Sequence, residues 1–132
     1  MLSLSPAVRI FVCAQPTDMR KSFDTLAALA HKVVQQSTTT GHLFLFRSRR
    51  GDRIKILWWS SGGYSLYYRR LEKGVFRLPE ASAGQASVEI DAGNLAMILE
   101  GIDWTKAERR ERYVPRKPAG DSSAAAAVAG AS

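Results

Sequence analysis

The chain has 132 residues, a length that suits one domain. Its apolar share of 45% is ordinary for a globular protein, whereas its formal charge of +7 at pH 7 favours polyanionic partners. A lone cysteine, Cys13, excludes an internal disulfide and a thiolate metal cluster. The start of the chain lacks a signal-peptide pattern, and the apolar runs are shorter than the roughly 20 residues that span a bilayer. We therefore expect a cytoplasmic protein without a membrane partner.

The charge is unevenly placed along the chain. Residues 20–77 hold twelve lysines and arginines against Asp24, Asp52 and Glu72. Residues 78–103 hold five acidic residues and no basic residue, and residues 106–117 are basic again. The middle segment is therefore where a surface that binds anions is expected.

The first predicted elements are a strand and a helix. Residues 8–14 are rich in β-branched and aromatic side chains and precede Pro16, which predicts a strand. Thr17 or Asp18 is then expected to cap a helix, because its side-chain oxygen can accept hydrogen bonds from free main-chain N–H groups. This helix has one apolar face, expected to lie in the core, formed by residues at three- and four-residue spacing: Met19, Phe23, Leu26, Ala27, Ala30 and Val33 or Val34. The helix should end at residues 35–37.

Two strands are predicted next, at residues 42–47 and 53–59. The turn between them, residues 49–52, should use Gly51 for a positive φ and Asp52 for local hydrogen bonds. Alternation in the second strand predicts one face with Ile54, Ile56 and Trp58 and another with Arg53, Lys55, Leu57 and Trp59. Residues 60–63, Ser-Ser-Gly-Gly, predict a second turn.

Residues 64–73 fit two patterns. Tyr64, Leu66 and Tyr68 alternate as in a strand, whereas Tyr64, Tyr67 or Tyr68, and Leu71 have helical spacing that ends at Gly74. We favour a strand over residues 64–68 and a tight helical turn through residues 70–72. Short strands are then predicted at residues 75–78 and 87–90, and Asp91 should cap a second helix.

These elements predict an α+β fold. Residues 1–104 should form a single domain, a mostly antiparallel sheet with two packed helices that begin near Thr17 and Asp91. Residues 105–132 are first basic and then rich in alanine, and are predicted to be a disordered tail.

The segment from residue 47 to residue 73 interleaves basic and aromatic residues. Cations neutralise phosphates and flat rings stack on bases, so this combination suits nucleic acid. A β-hairpin with one core face and one solvated basic face gives the same pattern. The candidate nucleic-acid-binding residues are the basic side chains of this segment and two from the start of the first helix: Arg20, Lys21, Arg47, Arg49, Arg50, Arg53, Lys55, Arg69, Arg70 and Lys73.

No catalytic residue, metal site or cofactor is predicted. His31 and His42 have no partner at ligand spacing, and Cys13 lies in an apolar run where a buried thiol is expected. A nuclease of the two-metal type needs clustered carboxylates. Four carboxylates are available: Asp18, Asp24, Asp52 and Glu72. Of these, Asp18, Asp52 and Glu72 each have a simpler role as a cap, a turn former or an ion-pair partner.

Four motifs occur in a fixed order: PTDMRKSFDTLAAL (residues 16–29), HLFLFRSRRGDRIKILWW (42–59), YYRRLEKGVFRLP (67–79) and LEGIDW (99–104). Over residues 8–104 the chain closely resembles the TnpB (second open reading frame) accessory protein family of the bacterial insertion sequence sixty-six. Two departures are visible, Ser22 in place of the usual Gly and Ser48 in place of the usual Asn. Neither removes a charged or aromatic group.

The resemblance implies a part in DNA transposition beside a larger, element-encoded transposase that carries the nuclease carboxylates. Two mechanisms remain open. The protein binds DNA through its basic hairpin surface, or it is an adaptor that docks on the transposase or another accessory protein without direct DNA binding. In the adaptor, Trp59, Tyr67 and the turn at residues 69–74 would be the anchors, because aromatic residues and Arg dominate interface energetics.

Overall fold

The computed structural model describes residues 7–101 and the backbone of residues 126–127 and 129–130. In chain order its elements are β1 (Ile10–Cys13), α1 (Phe23–Val34), β2 (Leu43–Arg47), β3 (Arg53–Ser60), β4 (Gly63–Arg70), β5 (Ser87–Ile90), α2 (Ala92–Leu99), β6 (Ala126–Ala127) and β7 (Ala129–Gly130). The predicted α+β class is confirmed. The predicted disorder of residues 105–132 falls, apart from β6 and β7, outside the described residues.

The chain forms two compact units, Met1–Phe76 with Glu80–Ile90 and Arg77–Pro79 with Asp91–Ser132. The first unit holds a five-stranded sheet in the order β4-β3-β2-β1-β5. Only β1 and β2 are parallel, and every other neighbouring pair is antiparallel, so the predicted sheet type is confirmed. The second unit contains α2 and the short parallel pair of β6 and β7.

The core of the first unit lies between α1 and one face of the sheet. Phe44, Phe46 and Leu57 pack there with Leu26 and Ala30 of α1. Strand residues of the opposite face are also almost fully buried: Ile10, Val12, Leu43, Leu45, Ile54 and Ile56. Burial of both faces explains why β1 and β2 are continuous apolar runs instead of alternating ones.

The N-cap of α1 lies four or five residues later than predicted. Ser22 occupies the N-cap position, and Thr17 and Asp18 lie in the loop before the helix. The Thr17 N–H donates to the carbonyl oxygen of Arg47 at 2.8 Å, and Asp18 Oδ1 accepts from the Arg20 N–H at 2.9 Å. The predicted cap is therefore wrong, because a long-range hydrogen bond holds this segment in a loop.

β4 settles the ambiguous segment as a strand that extends to Arg70, two residues beyond the prediction. Residue 71 has no regular structure and residues 72–74 form bends, so the predicted helical turn is wrong. Residues 75–78 form no strand, which is a second error. Instead, the N–H groups of Leu71 and Phe76 donate to the carbonyl oxygens of Asp52 and Gly51, both at 2.8 Å. These bonds join residues 71–76 to the β2–β3 turn. They could not be predicted from the periodicity of the sequence, because their partners are distant in the chain.

Other local predictions are confirmed. Ser61 and Gly62 have φ values of 51° and 81° and form a two-residue hairpin turn between β3 and β4. Asp91 caps α2 by accepting a hydrogen bond from the Asn94 N–H at 2.7 Å. Within the described residues, neither helix has the length and apolar character needed to cross a membrane.

Candidate nucleic-acid interface

Basic side chains gather at one end of the five-stranded sheet. β1 and β2 are parallel and finish at this end, β3 begins there, and β4 finishes there. We call this end, with its loops at residues 14–22, 48–52 and 71–76, the basic end. It brings together all ten candidate residues: Arg20, Lys21, Arg47, Arg49, Arg50, Arg53, Lys55, Arg69, Arg70 and Lys73.

Long-range contacts hold the loops of the basic end together. Besides the main-chain bond from Thr17 to Arg47, the guanidinium of Arg47 donates from Nη2 to the carbonyl oxygen of Ala14 at 3.0 Å. Both bonds fasten loop 14–22 to the end of β2. The bonds of Leu71 and Phe76 fasten loop 71–76 to the β2–β3 turn. The basic residues of separate segments are therefore held in one region.

The β2–β3 turn that carries Arg49 and Arg50 is fixed by a small polar group. The Ser48 hydroxyl donates to Asp52 Oδ1 at 3.2 Å, and Ser48 Oγ accepts from the Arg53 N–H at 3.1 Å. Gly51 supports the turn with a φ of 81°. Ser48 thus supplies the donor and the acceptor that the turn needs, which explains why serine is compatible with this position.

The candidate residues share an end of the sheet but not a face. Strand register places Arg53 and Arg70 opposite each other on the side of α1. It places Arg47 and Arg69 on the other side, because both pair with Ile54. Like charges directly opposite each other in a sheet reduce stability, so the Arg53–Arg70 pair costs the fold free energy. Positive charge is therefore present on both faces of the sheet at this end.

Lys55 has a different environment from the other candidates. It is only 7% exposed, and its ammonium donates to the carbonyl oxygens of Met19 at 2.6 Å and Lys21 at 2.7 Å. The same nitrogen lies 4.8 Å from the ring centroid of Tyr68, a cation–π distance. Lys55 therefore organises the loop before α1, and we leave it out of the surface proposed to meet a ligand.

Acidic side chains neutralise only part of the basic end. Arg20 pairs with Asp18 at 2.8 Å and Arg70 pairs with Glu72 at 3.2 Å. Hydrogen bonds from Arg20 lower the pKa of Asp18 to about 2. Such exposed ion pairs contribute little stability. Within residues 7–101 the other exposed cations of the basic end form no ion pair: Arg49, Arg50 and Lys73.

The opposite end of the sheet has a different electrostatic character. Arg9, just before β1, pairs with Glu89 of β5 at 2.7 Å. This hydrogen-bonded pair raises the pKa of Arg9 and lowers that of Glu89. The main-chain N–H of Arg9 also donates to His42 Nδ1 at 3.0 Å. Within residues 7–101, the guanidinium of Arg9 is thus neutralised by Glu89, unlike the cations of Arg49 and Arg50 at the basic end.

Four of the five aromatic residues of segment 47–73 are half-buried: Trp58, Trp59, Tyr64 and Tyr67. Trp59 packs edge-on against Tyr64 with ring centroids 4.9 Å apart, and the Tyr64 hydroxyl is hydrogen-bonded to Thr38 Oγ1 at 2.8 Å. Tyr68 is 49% exposed and Phe23 is 43% exposed. Helical spacing places Phe23 on the apolar face of α1, and no local signal in the sequence indicates its exposure at the first residue of the helix.

A metal site and a reactive thiol each have specific structural requirements. The described residues contain no set of three or more His, Cys, Asp or Glu side chains able to hold a metal ion. Cys13 is buried, and burial raises the pKa of its thiol to about 12. A thiol with so high a pKa is a poor nucleophile near neutral pH.

The described residues define a small α+β protein whose sheet carries a strongly basic end. Residues 8–109 match the family described as IS66 Orf2 like protein (TnpB_IS66). The chain belongs to this family, which is an accessory protein family of transposition, and the resemblance seen in the four sequence motifs is confirmed.

Two relatives from Sinorhizobium fredii (strain NBRC 101917 / NGR234) support this assignment. The protein named Uncharacterized protein y4hO is 36% identical over 104 residues, which cover 79% of this chain and 89% of that protein. The protein named Uncharacterized protein y4jC is 30% identical over 119 residues, which cover 90% of this chain and 100% of that protein. No solved structure matches the chain.

Proposed function

We propose that this chain is a non-catalytic, cytoplasmic accessory protein that binds DNA during transposition through the basic end of its sheet. The observation that carries the proposal is the convergence of basic residues from three separate segments. Segments 16–22, 47–55 and 69–73 contribute ten basic residues against three acidic ones. Two of those acidic residues, Asp18 and Glu72, are already paired with Arg20 and Arg70.

The chemistry of such a surface suits the DNA backbone. Each Lys or Arg that neutralises a phosphate releases condensed counterions, which gives affinity without reading the base sequence. Arg49 and Arg50 project from a rigid turn between two strands, and Lys73 lies in the adjoining loop. We expect these three residues to make the principal phosphate contacts, with Arg20, Lys21, Arg47, Arg53, Arg69 and Arg70 extending the surface.

In transposition this activity would hold element DNA beside the transposase that cuts it. The partners in this proposal are therefore DNA and the element-encoded transposase, together with the element's other accessory protein. No catalytic step is assigned to this chain. The carboxylates at the basic end have local partners, since Asp52 accepts from the Ser48 hydroxyl and Asp18 and Glu72 pair with arginines.

The experiment that tests DNA binding is fluorescence anisotropy with labelled duplex from the element end at low salt. The double variant Arg49→Ala with Arg50→Ala should bind at least tenfold more weakly, since each lost phosphate contact contributes to affinity. The matched control is Lys32→Ala, an exposed cation on α1. An unmodified protein that does not bind, or a double variant that binds like Lys32→Ala, contradicts the proposal.

A second candidate function is the protein–protein adaptor. β4 favours it, because this eight-residue strand is at the edge of the five-stranded sheet, and among the described residues only β3 pairs with it as a strand. Such an edge can accept a strand from another protein. Capture of purified transposase that survives nuclease treatment supports the adaptor, whereas capture that requires DNA supports DNA binding.

A further inference from the structure

Tyr68 is a partly exposed aromatic ring within the basic end. It lies opposite Lys55 in the β3–β4 pair, and the Lys55 ammonium is 4.8 Å from the ring centroid. Arg53 Nη1 donates to the Tyr68 hydroxyl oxygen at 3.3 Å. Two cations therefore fix the orientation of this ring, although half of the residue is exposed.

The exposed face of Tyr68 can be located from the topology. Lys55 is buried on β3, so it covers the face of the ring that points into the sheet. β4 is an edge strand, so among the described residues no strand covers the other face.

Phe23 supplies a second exposed ring on the same side of the sheet. It is the first residue of α1 and lies one turn before Leu26 and Ala27, which pack on the sheet. Phe23 is therefore on the sheet-facing side of the helix, yet at the first helical residue it is 43% exposed. The carbonyl oxygen of Lys21, two residues earlier, accepts a hydrogen bond from the Lys55 ammonium.

We propose that the basic end binds single-stranded DNA, with Tyr68 and Phe23 as platforms on which unpaired bases stack. This inference rests on the proposed function and names its substrate more closely. In duplex DNA the base faces are already stacked on one another, so an exposed ring gains little from them. Unpaired bases offer free faces, and a basic surface with exposed aromatic rings is the combination that single strands require.

The test compares two labelled probes, oligothymidine and a mixed-sequence duplex of equal length, by fluorescence anisotropy. Tyr68→Leu and Phe23→Ser should each weaken binding of oligothymidine by about tenfold and leave duplex binding within about twofold. Tyr68→Phe keeps the ring and should bind like the unmodified protein. Tyr67→Leu, on the opposite face of β4, is the matched control and should not discriminate between the probes.

A direct readout does not depend on how the variants fold. Oligothymidine carrying 5-iododeoxyuridine cross-links on irradiation to aromatic residues that stack on it. Peptide mapping by mass spectrometry should find the cross-links on Tyr68 or Phe23 of the unmodified protein. Cross-links that map only to other residues overturn the proposal, and so does Tyr68→Leu or Phe23→Ser binding both probes unchanged.

The outcomes separate this inference from the proposed function. Duplex binding that depends on Arg49 and Arg50, with no preference for oligothymidine and no effect of Tyr68→Leu, overturns the single-strand proposal and leaves DNA binding intact. Absence of binding to either probe overturns both. Selective loss of oligothymidine binding in Tyr68→Leu and in Phe23→Ser supports both.

Discussion

The Lys55 ammonium lies 2.6 Å from the main-chain carbonyl oxygen of Met19, a residue 36 positions earlier in the chain. A second bond from the same nitrogen to the Lys21 carbonyl oxygen is 2.7 Å long. Together they connect the middle of β3 to the loop that precedes α1. The loop that carries Arg20 and Lys21 is thus positioned by a buried cation, and the arrangement of the basic end depends on it.

Replacing this cation should destabilise the fold. Lys55→Met keeps most of the apolar stem but leaves two carbonyl oxygens without their donor, so we expect the free energy of unfolding to fall by about 2–3 kcal/mol. Urea denaturation followed by circular dichroism measures it. Lys32→Met, on an exposed position of α1, should change stability by no more than about 0.5 kcal/mol. Equal stability of the two variants would show that the Lys55 bonds contribute nothing.

Salt dependence should report how many phosphates the β2–β3 turn contacts. The logarithm of the association constant for duplex DNA falls linearly with the logarithm of salt concentration, with a slope of about 0.9 per neutralised phosphate. Removing Arg49 and Arg50 together should reduce that slope by nearly 2, whereas Lys32→Ala should leave it unchanged. A double variant with lower affinity but an unaltered slope would mean that these arginines act without touching phosphates.

The β3–β4 hairpin offers a matched pair of glycines. Gly62 has a φ of 81°, while Gly63 is in the strand with no positive φ, and a Cβ on either would meet nothing within 4 Å. Gly62→Ala should therefore lower the free energy of unfolding by about 1–2 kcal/mol through backbone conformation alone. Gly63→Ala should be neutral or slightly stabilising, because alanine loses less backbone entropy on folding. Thermal unfolding of both variants checks the difference.

Asp18 should titrate at an unusually acidic pH. Hydrogen bonds from Arg20 lower its pKa from 3.8 to about 2. A depressed pKa in the folded state adds stability above pH 3.8, and this contribution is lost as the pH falls toward 2. An NMR titration of the Asp18 carboxyl group should show the shift, and Arg20→Ala should return the pKa toward 3.8. Arg70→Ala, which removes a pair with Glu72, should not affect it.

Cys13 should react with thiol reagents only when the protein unfolds. Burial in the core raises its pKa to about 12, so almost no thiolate forms at pH 8 and the sulfur is inaccessible. Alkylation by iodoacetamide should be absent in the native protein and complete in denaturant, as measured by mass spectrometry. Above pH 9 the unfolded thiol ionises more readily than the folded one, so stability should fall there.

Local patterns in the sequence predicted much of the fold correctly. β-branched and aromatic runs marked β1, β2 and β3, and a serine–glycine pair marked the β3–β4 turn, because these signals arise from neighbouring residues. The errors occurred where contacts with residues distant in the sequence determine the local structure. Thr17 is held by Arg47, and Leu71 and Phe76 are held by the β2–β3 turn, so the predicted cap and the helical turn did not form.

The candidate site could likewise be predicted from the sequence only in part. The residue types that make a basic surface were evident from composition and spacing. Their accessibility was not, since it depends on which face each strand residue occupies and on what packs there. Lys55 is buried against carbonyl oxygens, while Phe23, assigned to the core, is exposed at the start of α1. Neither outcome has a local signal.

The sequence by itself determined the family, the α+β class and the excess of positive charge between residues 20 and 77, because each is encoded in residue identity and short-range order. Only the tertiary structure decided that three basic segments meet at one end of the sheet. The parallel pairing of β1 with β2 causes this meeting, since it carries the loop before α1 to the end where β3 begins. Strand pairing joins residues far apart in the chain, and no local pattern encodes it.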